Sequence, residues 1–319
     1  MRVDGTSVDR FDVSRFEASR NRLASLAYRL LGSASDAEDA VQDAFLRWQS
    51  ADRQRIKVPE AWLTKVVTHL CLDRLRSAQF RREHSAGAWL PEPLLDSDPM
   101  LGPSETVEQR ESVSLAVLTL MERLSPLERS VYVLREAFSY SHADIAEILD
   151  LTESASQQHL HRARHHITTS RRRSLDVDPA SARRVVEEFL TAASSGRTER
   201  LVALLTDDAT AISDGAGLTT SLLRYETPER IAIVARAGFT PSAAKRRFAG
   251  GTLAAHYALV NGSSAILFVL SDRVVGAVTF DLAGGRIATV RGIAAPARLV
   301  RLAEQWRQHE PGLPIIAEW

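Results

Sequence analysis

Apolar positions in the first third of the chain recur with a helical period. In SASDAEDAVQDAFLRW, Ala37, Val41, Ala44 and Trp48 fall at i, i+4, i+7 and i+11, one stripe of an amphipathic helix. Ser35 followed by Glu38 has the spacing of a capping box and predicts that the helix starts there. Asp36, Asp39 and Asp43 recur on a different face as a narrow acidic stripe, with Gln42 beside it. A second helix opens at Pro59, a residue favoured in the first turn, and runs through EAWLTKVVTHLCLDRLRSAQF. Leu63, Val66 and Leu70 form its apolar face, while Lys65, His69, Arg76, Arg81 and Arg82 give it a polar side that grows basic toward its end. Trp62 falls within the apolar repeat, which favours core packing over a stacking role at the surface.

The period is lost over residues 86 to 107, AGAWLPEPLLDSDPMLGPSETV, where four prolines block regular structure and mark a linker. Helical patterning resumes from about Glu108 and continues to Ile167. Within it, ADIAEIL supplies a short packing face of Ala143, Ile145, Ala146 and Leu149, and Thr152 is placed to cap a following helix whose first turn carries Glu153. At 100° per residue, Ser156, Leu160, Ala163 and Ile167 gather on one side of that helix, and Ser154, Gln158, His161, Arg162 and His165 on the other.

After RRRSLDVDP the pattern changes. Asp178-Pro179 marks a helix start, and two helical stretches (183–195 and 198–205) precede a mixed region. TLAAHYALV then meets Asn261-Gly262, the strongest short hairpin signal, and SAILFVL, VVGAVTFDL, Gly284-Gly285 and RIATVRGI follow. Three or four antiparallel strands behind helices predict an α+β module.

Composition narrows the function classes. The 319 residues, 45% hydrophobic and 25% charged, have the make-up of an ordinary soluble multidomain protein. No apolar run approaches a membrane span and no signal peptide is visible, so the expected location is the cytoplasm and no membrane partner is expected. A single cysteine, Cys71, rules out an intrachain disulfide and falls in a helical pattern as a buried thiol. Forty basic and forty acidic residues cancel. Affinity for duplex DNA comes largely from neutralised phosphates, so a neutral chain that reads DNA is expected to work with a partner.

The pair of helices over 141–167, joined by a tight turn, has the pattern of a helix-turn-helix. Its second helix buries one face and offers Ser154, Gln158, His161, Arg162 and His165 as donors to base edges and phosphates in a major groove. A plain surface helix with a solvated polar face is the alternative. His161 and His165, at i and i+4, have metal-ligand spacing, but no third ligand of suitable spacing accompanies them, and no metal or cofactor is expected.

Taken in order, LLGSASDAEDAVQDAFLRWQ, PEAWLTKVVTHLCLDRLRSAQFRRE, LSPLERSVYVLREAFSYSHADIAEIL and HRAR resemble the extracytoplasmic-function RNA polymerase sigma factors over residues 14 to 170. The resemblance implies two all-α sigma domains, the second carrying the helix-turn-helix. Region 2 would span 10–85, bind core polymerase and recognise the −10 element; region 4 would span 108–173 and recognise the −35 element. It further implies that Asp36, Asp39, Gln42 and Asp43 dock on the β′ clamp helices, that the second domain meets the β flap, and that Lys65, His69 and Arg76 contact the −10 strand of promoter DNA. Three departures stand out. His69 occupies a position where the family usually has Asn, Asp150 a turn position usually Gly, and Gln157 one where Arg is common.

The remaining chain, 178–310, resembles the SnoaL-like branch of the NTF2-like fold, and WLPEPLLD in the 86–107 linker matches a signature of sigma factors of the J type, which carry such a fused domain. That resemblance implies regulation in cis, through Trp89, Leu90 and Pro91 of the linker and the loop residues Asp214, Gly215 and Gly217, without a separate anti-sigma factor. The loop reads DGAGL, with Leu218 where Lys is common, and the tail motif reads AAPARL. Leu94 would anchor the linker alongside Leu90. A small-molecule ligand of the third module is an open possibility. Two rivals remain at this point: a one-component helix-turn-helix regulator with a ligand domain, and a SnoaL-like enzyme using Asp214 or His256 as general base.

Overall fold

The structure, a computed structural model, describes residues 5–84, 90–102, 106–168, 178–219 and 221–318. The chain divides into two compact units. One gathers Met1–His84, Ser97–Val113 and Leu120–Ile167; the other gathers Ser85–Asp96, Ser114–Thr119 and Thr168–Trp319.

The helical unit begins with α1 (Gly5–Leu31), α2 (Ala34–Ser50) and α3 (Pro59–His84). Ala37, Val41, Ala44 and Trp48 are all buried on α2, as their period predicts. The cap of α2 differs from expectation: Ser33, not Ser35, accepts the Asp36 N–H, at 3.1 Å. Gly32, at φ +68°, turns the chain one residue earlier and leaves Ser33 extended, the conformation a cap requires. On α3 the buried valine is Val67 rather than Val66, because Leu63, Val67, Leu70 and Cys71 are the positions that face the bundle. Cys71 is free and buried, and desolvation pushes its thiol up to about 12. Trp62 is half-buried with its ring 5.7 Å from that of Trp48, so it packs as the apolar repeat suggests.

Four short helices follow, α4 (Val107–Glu111), α5 (Leu115–Met121), α6 (Pro126–Tyr132) and α7 (His142–Leu149), and then the longer α8 (Glu153–Thr168). Ser125 and Glu128 close a capping box on α6, and Ser141 and Asp144 close another on α7. A π-helical turn over Val133–Ala137 ends α6 and leads through Ser139, at φ +57°, to Tyr140. Arg29 of α1 is fully buried and donates from Nε to Ser112 Oγ (2.9 Å) and from Nη2 to the Gln109 carbonyl (3.4 Å). Its guanidinium lies 5.4 Å from the Phe138 ring centre.

Gly102 sits at φ +67°, and a Cβ there would overlap the Ser25 side chain on α1. Gly102→Ala therefore combines backbone strain with overpacking and is expected to cost about 3 kcal/mol or more. A thermal melt should show the helical unit losing stability, and an unchanged midpoint would contradict this placement.

The second unit is α+β: α9 (Pro179–Ser194), α10 (Thr198–Leu204), β1 (Leu205–Ser213), β2 (Leu223–Tyr225), α11 (Pro228–Phe239), α12 (Ala243–Ala249), β3 (Ala254–Val260), β4 (Ser263–Leu270), β5 (Arg273–Ala283), β6 (Arg286–Ile293) and α13 (Val300–Gln308). Asp178 caps α9 with its carboxylate on the Ala180 and Ser181 amides. The sheet order is β2-β1-β6-β5-β4-β3. The β3-β4 and β5-β6 hairpins turn at Asn261-Gly262 and Gly284-Gly285, every one of these residues at positive φ, as a two-residue turn of this hand demands. Among the described residues the sheet has six strands rather than three or four, and it is mixed, since β1 runs parallel to β6. One face is covered by α9, α10 and α11 through an apolar core that includes Phe189, Phe280, Leu190 and Ile266. Phe189 meets Phe280 edge to face, and Phe239 stacks on Phe268. Helices on one face of a six-stranded mixed sheet match the NTF2-like expectation.

Candidate nucleic-acid and polymerase interfaces

The turn between α7 and α8 is built as the sequence suggests. Asp150 adopts the left-handed conformation (φ 54°, ψ 48°), and its N–H bonds back to the Ala146 carbonyl. Thr152 Oγ1 accepts the Ala155 N–H at 3.1 Å, capping α8. Ser156, Leu160, Ala163 and Ile167 are buried. The buried set on α7 is Ile145, Ile148 and Leu149, with Ala143 exposed, since a helix this short turns a single face inward.

Ser154, Gln157, Gln158, His161, Arg162 and His165 are all exposed along one side of α8. Arg162 Nε pairs with Glu128 Oε1 at 2.7 Å, which holds the guanidinium against α6. Burial alone would raise the Glu128 carboxyl, but hydrogen bonds from Arg162 and Ser125 outweigh it and hold the group below the usual range. Arg164 pairs in the same way with Glu136 at 2.7 Å.

On α2, Asp36, Asp39 and Gln42 are exposed, Asp43 is half-buried and Leu46 is 55% exposed among them. The acidic stripe is not bare, because Arg74 of α3 points into it. Its Nη2 lies 2.8 Å from Asp43 Oδ2, its Nη1 donates to the Asp36 carbonyl at 2.8 Å, and Asp39 Oδ2 stands 3.9 Å away. This brace gives the stripe a fixed geometry that periodicity alone does not reveal.

Lys65, His69 and Arg76 share one side of α3, since steps of four and seven residues return within 40° of the start. The structure gives these three different surroundings. Arg76 is exposed and 3.6 Å from Asp73. Lys65 Nζ bonds Asp150 Oδ1 at 2.6 Å and the Glu147 carbonyl at 2.9 Å, and His69 Nε2 lies 2.8 Å from the Ile148 carbonyl.

In the α+β unit, Leu90, Pro91, Leu94 and Leu95 of the linker are buried, while Trp89 lies outside the described residues. Leu94 N donates to Asn261 Oδ1 (2.8 Å) and Asn261 N to the Leu94 carbonyl (3.0 Å). Asp96 N donates to the Leu259 carbonyl (3.1 Å), and Gly262 N to Asp96 Oδ1 (2.7 Å). Leu95 thereby bridges Val260 antiparallel, as a short added strand on the β3 edge. Leu95 N also donates to Gln305 Oε1 of α13 at 3.2 Å.

Asp214 follows β1 and is buried. Its carboxylate accepts the amides of Ala216, Ala294 and Ala295, each at 3.0 Å at its shortest. Gly215 and Gly217 have φ of +59° and +75°, and Gly217 lies within van der Waals reach of Ala295. The loop is thus folded onto the segment that presents Arg298, whose Nη1 donates to the Leu90 carbonyl and whose Nε is 4.0 Å from Asp214 Oδ2. Sequence reading named both the loop and Leu90, but missed Arg298, which joins them across 208 positions.

These contacts bear on the enzyme rival. Asp214 is saturated by backbone donors. His256, on β3, packs edge to face with Trp306 at 5.1 Å, and burial pushes its imidazole pKa down. Four strand spacings separate β1 from β3, roughly 19 Å along the sheet, so the two groups do not form one site.

Sigma-70 region 2 matches residues 15–81 and sigma-70 region 4 matches residues 114–167, which defines a transcription initiation factor that binds core RNA polymerase and promoter DNA. The chain belongs to the extracytoplasmic-function (ECF) RNA polymerase sigma factors. It is 42% identical over 214 residues to the ECF RNA polymerase sigma factor SigJ of Mycobacterium tuberculosis, covering 67% of this chain and 68% of that one. It is 30% identical over 298 residues to the probable ECF sigma factor SigI of the same organism, covering 89% and 93%. The crystal structure of M. tuberculosis SigJ superposes with a TM-score of 0.67 at 31% identity, over 91% of this chain and 98% of that one. The third module therefore belongs to a shared architecture. Among the described residues no helix is long and apolar enough to cross a membrane.

Proposed function

We propose that this sigma factor directs core polymerase to a subset of promoters and is regulated in cis by its α+β domain, which holds the linker between regions 2 and 4. One observation carries the reading: the linker is added as a strand to the β3 edge and clamped by Arg298 through the Leu90 carbonyl. A sigma factor spread over polymerase needs that linker to span the distance between its two DNA-reading domains, so a domain that grips it controls the spread.

In this reading Asp36, Asp39, Gln42 and Asp43, with Leu46 as apolar anchor, dock on the β′ clamp helices, and region 4 docks on the β flap. The exposed side of α8 reads the −35 duplex, and Lys65, His69 and Arg76 meet the −10 strand. The protein acts in the cytoplasm, where core polymerase is, without a separate anti-sigma factor. Run-off transcription with core polymerase tests the reading. A chain ending at residue 177 should differ from the full chain at equal protein concentration, and identical transcription would defeat regulation in cis.

A further inference from the structure

We infer that Asp150 and the carboxyl end of α7 form a latch on Lys65 and His69, so that the free chain keeps its −10 contacts occupied until a nucleic-acid phosphate displaces region 4. The inference rests on the assignment of Lys65 and His69 to the −10 strand, and the test below separates the two.

Two departures from the family pattern, read separately in the sequence, meet in space. His69 Nε2 lies 3.6 Å from Asp150 Oδ2 and Lys65 Nζ 2.6 Å from Asp150 Oδ1. The left-handed turn at position 150 requires nothing beyond a residue that tolerates φ 54°, and glycine serves that purpose best. The carboxylate is therefore surplus to the turn, and its oxygens face Lys65 and His69, one turn apart on α3.

The chemistry of the contact is that of a phosphate. The last carbonyls of a helix carry the negative end of its dipole. The Glu147 and Ile148 carbonyls, together with the Asp150 carboxylate, present oxygens 2.6 to 2.9 Å from the Lys65 ammonium and the His69 ring. Hydrogen bonding from Lys65 holds the Asp150 carboxyl below its usual range, so it is ionised at neutral pH. A second tie lies further along: Arg22 donates to Thr64 Oγ1 at 3.2 Å and to the Tyr140 hydroxyl at the start of the α7 segment.

The latch is suited to release. Lys65 and Asp150 keep 39% and 66% of their side-chain surface in water, and exposed pairs of this kind are individually weak and screened by salt. A polyanion can outcompete one carboxylate and two carbonyls where another protein surface of mixed charge would not.

The test uses the full chain and three variants: Asp150→Gly, which preserves the turn, Lys65→Ala, and the double variant. The first readout is amide hydrogen exchange over residues 147–151 in the free protein. Lys65→Ala, which lies outside that segment, is expected to raise exchange there about three- to tenfold. The second is affinity for a labelled mixed-sequence single-stranded DNA 20-mer without polymerase. Asp150→Gly is expected to bind about three- to tenfold more tightly than the parent, and the double variant to lose that gain. Exchange unchanged by Lys65→Ala overturns the latch, as does unchanged DNA affinity in Asp150→Gly when Lys65→Ala weakens binding. Raised exchange with DNA affinity insensitive to Lys65→Ala supports the latch and overturns the −10 assignment of Lys65 instead.

Discussion

Reversing Asp39 and Asp43 to Lys is expected to abolish co-elution with core RNA polymerase while the helical unit stays folded. The side chains are 68% and 48% exposed, and together with Asp36 and Gln42 they line the side of α2 turned away from the core. If the acidic stripe docks on a surface of complementary charge, replacing two negative charges by two positive ones sets like charge against it, a penalty of several kcal/mol. About 2.8 kcal/mol already corresponds to a hundredfold loss of affinity. The cost to folding is far smaller. Position 43 loses its ion pair with Arg74 and gains a like-charged neighbour there, worth about 1 kcal/mol at an exposed site. Association should therefore fall at least about a hundredfold for a shift of only a few degrees in the melting midpoint. Size-exclusion chromatography with core polymerase, alongside a melt of the variant alone, reads both. Unaltered association would remove the docking assignment, and loss of association together with the fold would leave Asp39→Asn as the discriminating variant.

What was legible in the sequence divides along locality. The faces of α2 and α8 followed from the helical period because each depends only on neighbours three or four positions away, and the hairpins followed from Asn261-Gly262 and Gly284-Gly285 for the same reason. Errors arose where two adjacent residues were equally fit. Ser33 and Ser35 both suit a cap, and the positive φ of Gly32 selects the first. Val66 and Val67 are chemically identical, and only the packing of α3 against α1 and α2 selects the second. Parallel pairing of β1 with β6 was hidden because LTDDATAIS alternates weakly and its partner lies some eighty residues on. The latch and the Arg298 clamp were illegible for a related reason. Each joins groups that have ordinary local roles, a turn residue and a surface basic residue, whose meaning exists only once distant segments meet.

Loosening the linker without deleting any domain should change transcription more informatively than truncation does. Leu94 is fully buried, and its N–H and carbonyl are both engaged by Asn261. Leu94→Ala removes apolar burial at a cost of about 2–5 kcal/mol. Asn261→Gly keeps the left-handed turn, at φ 50° in the parent, but leaves the Leu94 N–H without its acceptor, a further cost of about 1–3 kcal/mol. Arg298→Ala withdraws the donor to the Leu90 carbonyl and leaves the Asp214 carboxylate held by its three backbone amides, so the loop is expected to stay folded. None of the three residues lies on α2, α3 or α8, where the polymerase and DNA contacts are assigned. If the clamp governs initiation, Leu94→Ala with Arg298→Ala should raise exchange at the Leu94 to Asp96 amides and shift run-off transcription in the same direction as the truncated chain. Undocking without any change in transcription would mean that the linker is merely stored on the β3 edge. Regulation, if the truncation still revealed it, would then have to act through another surface of the α+β unit.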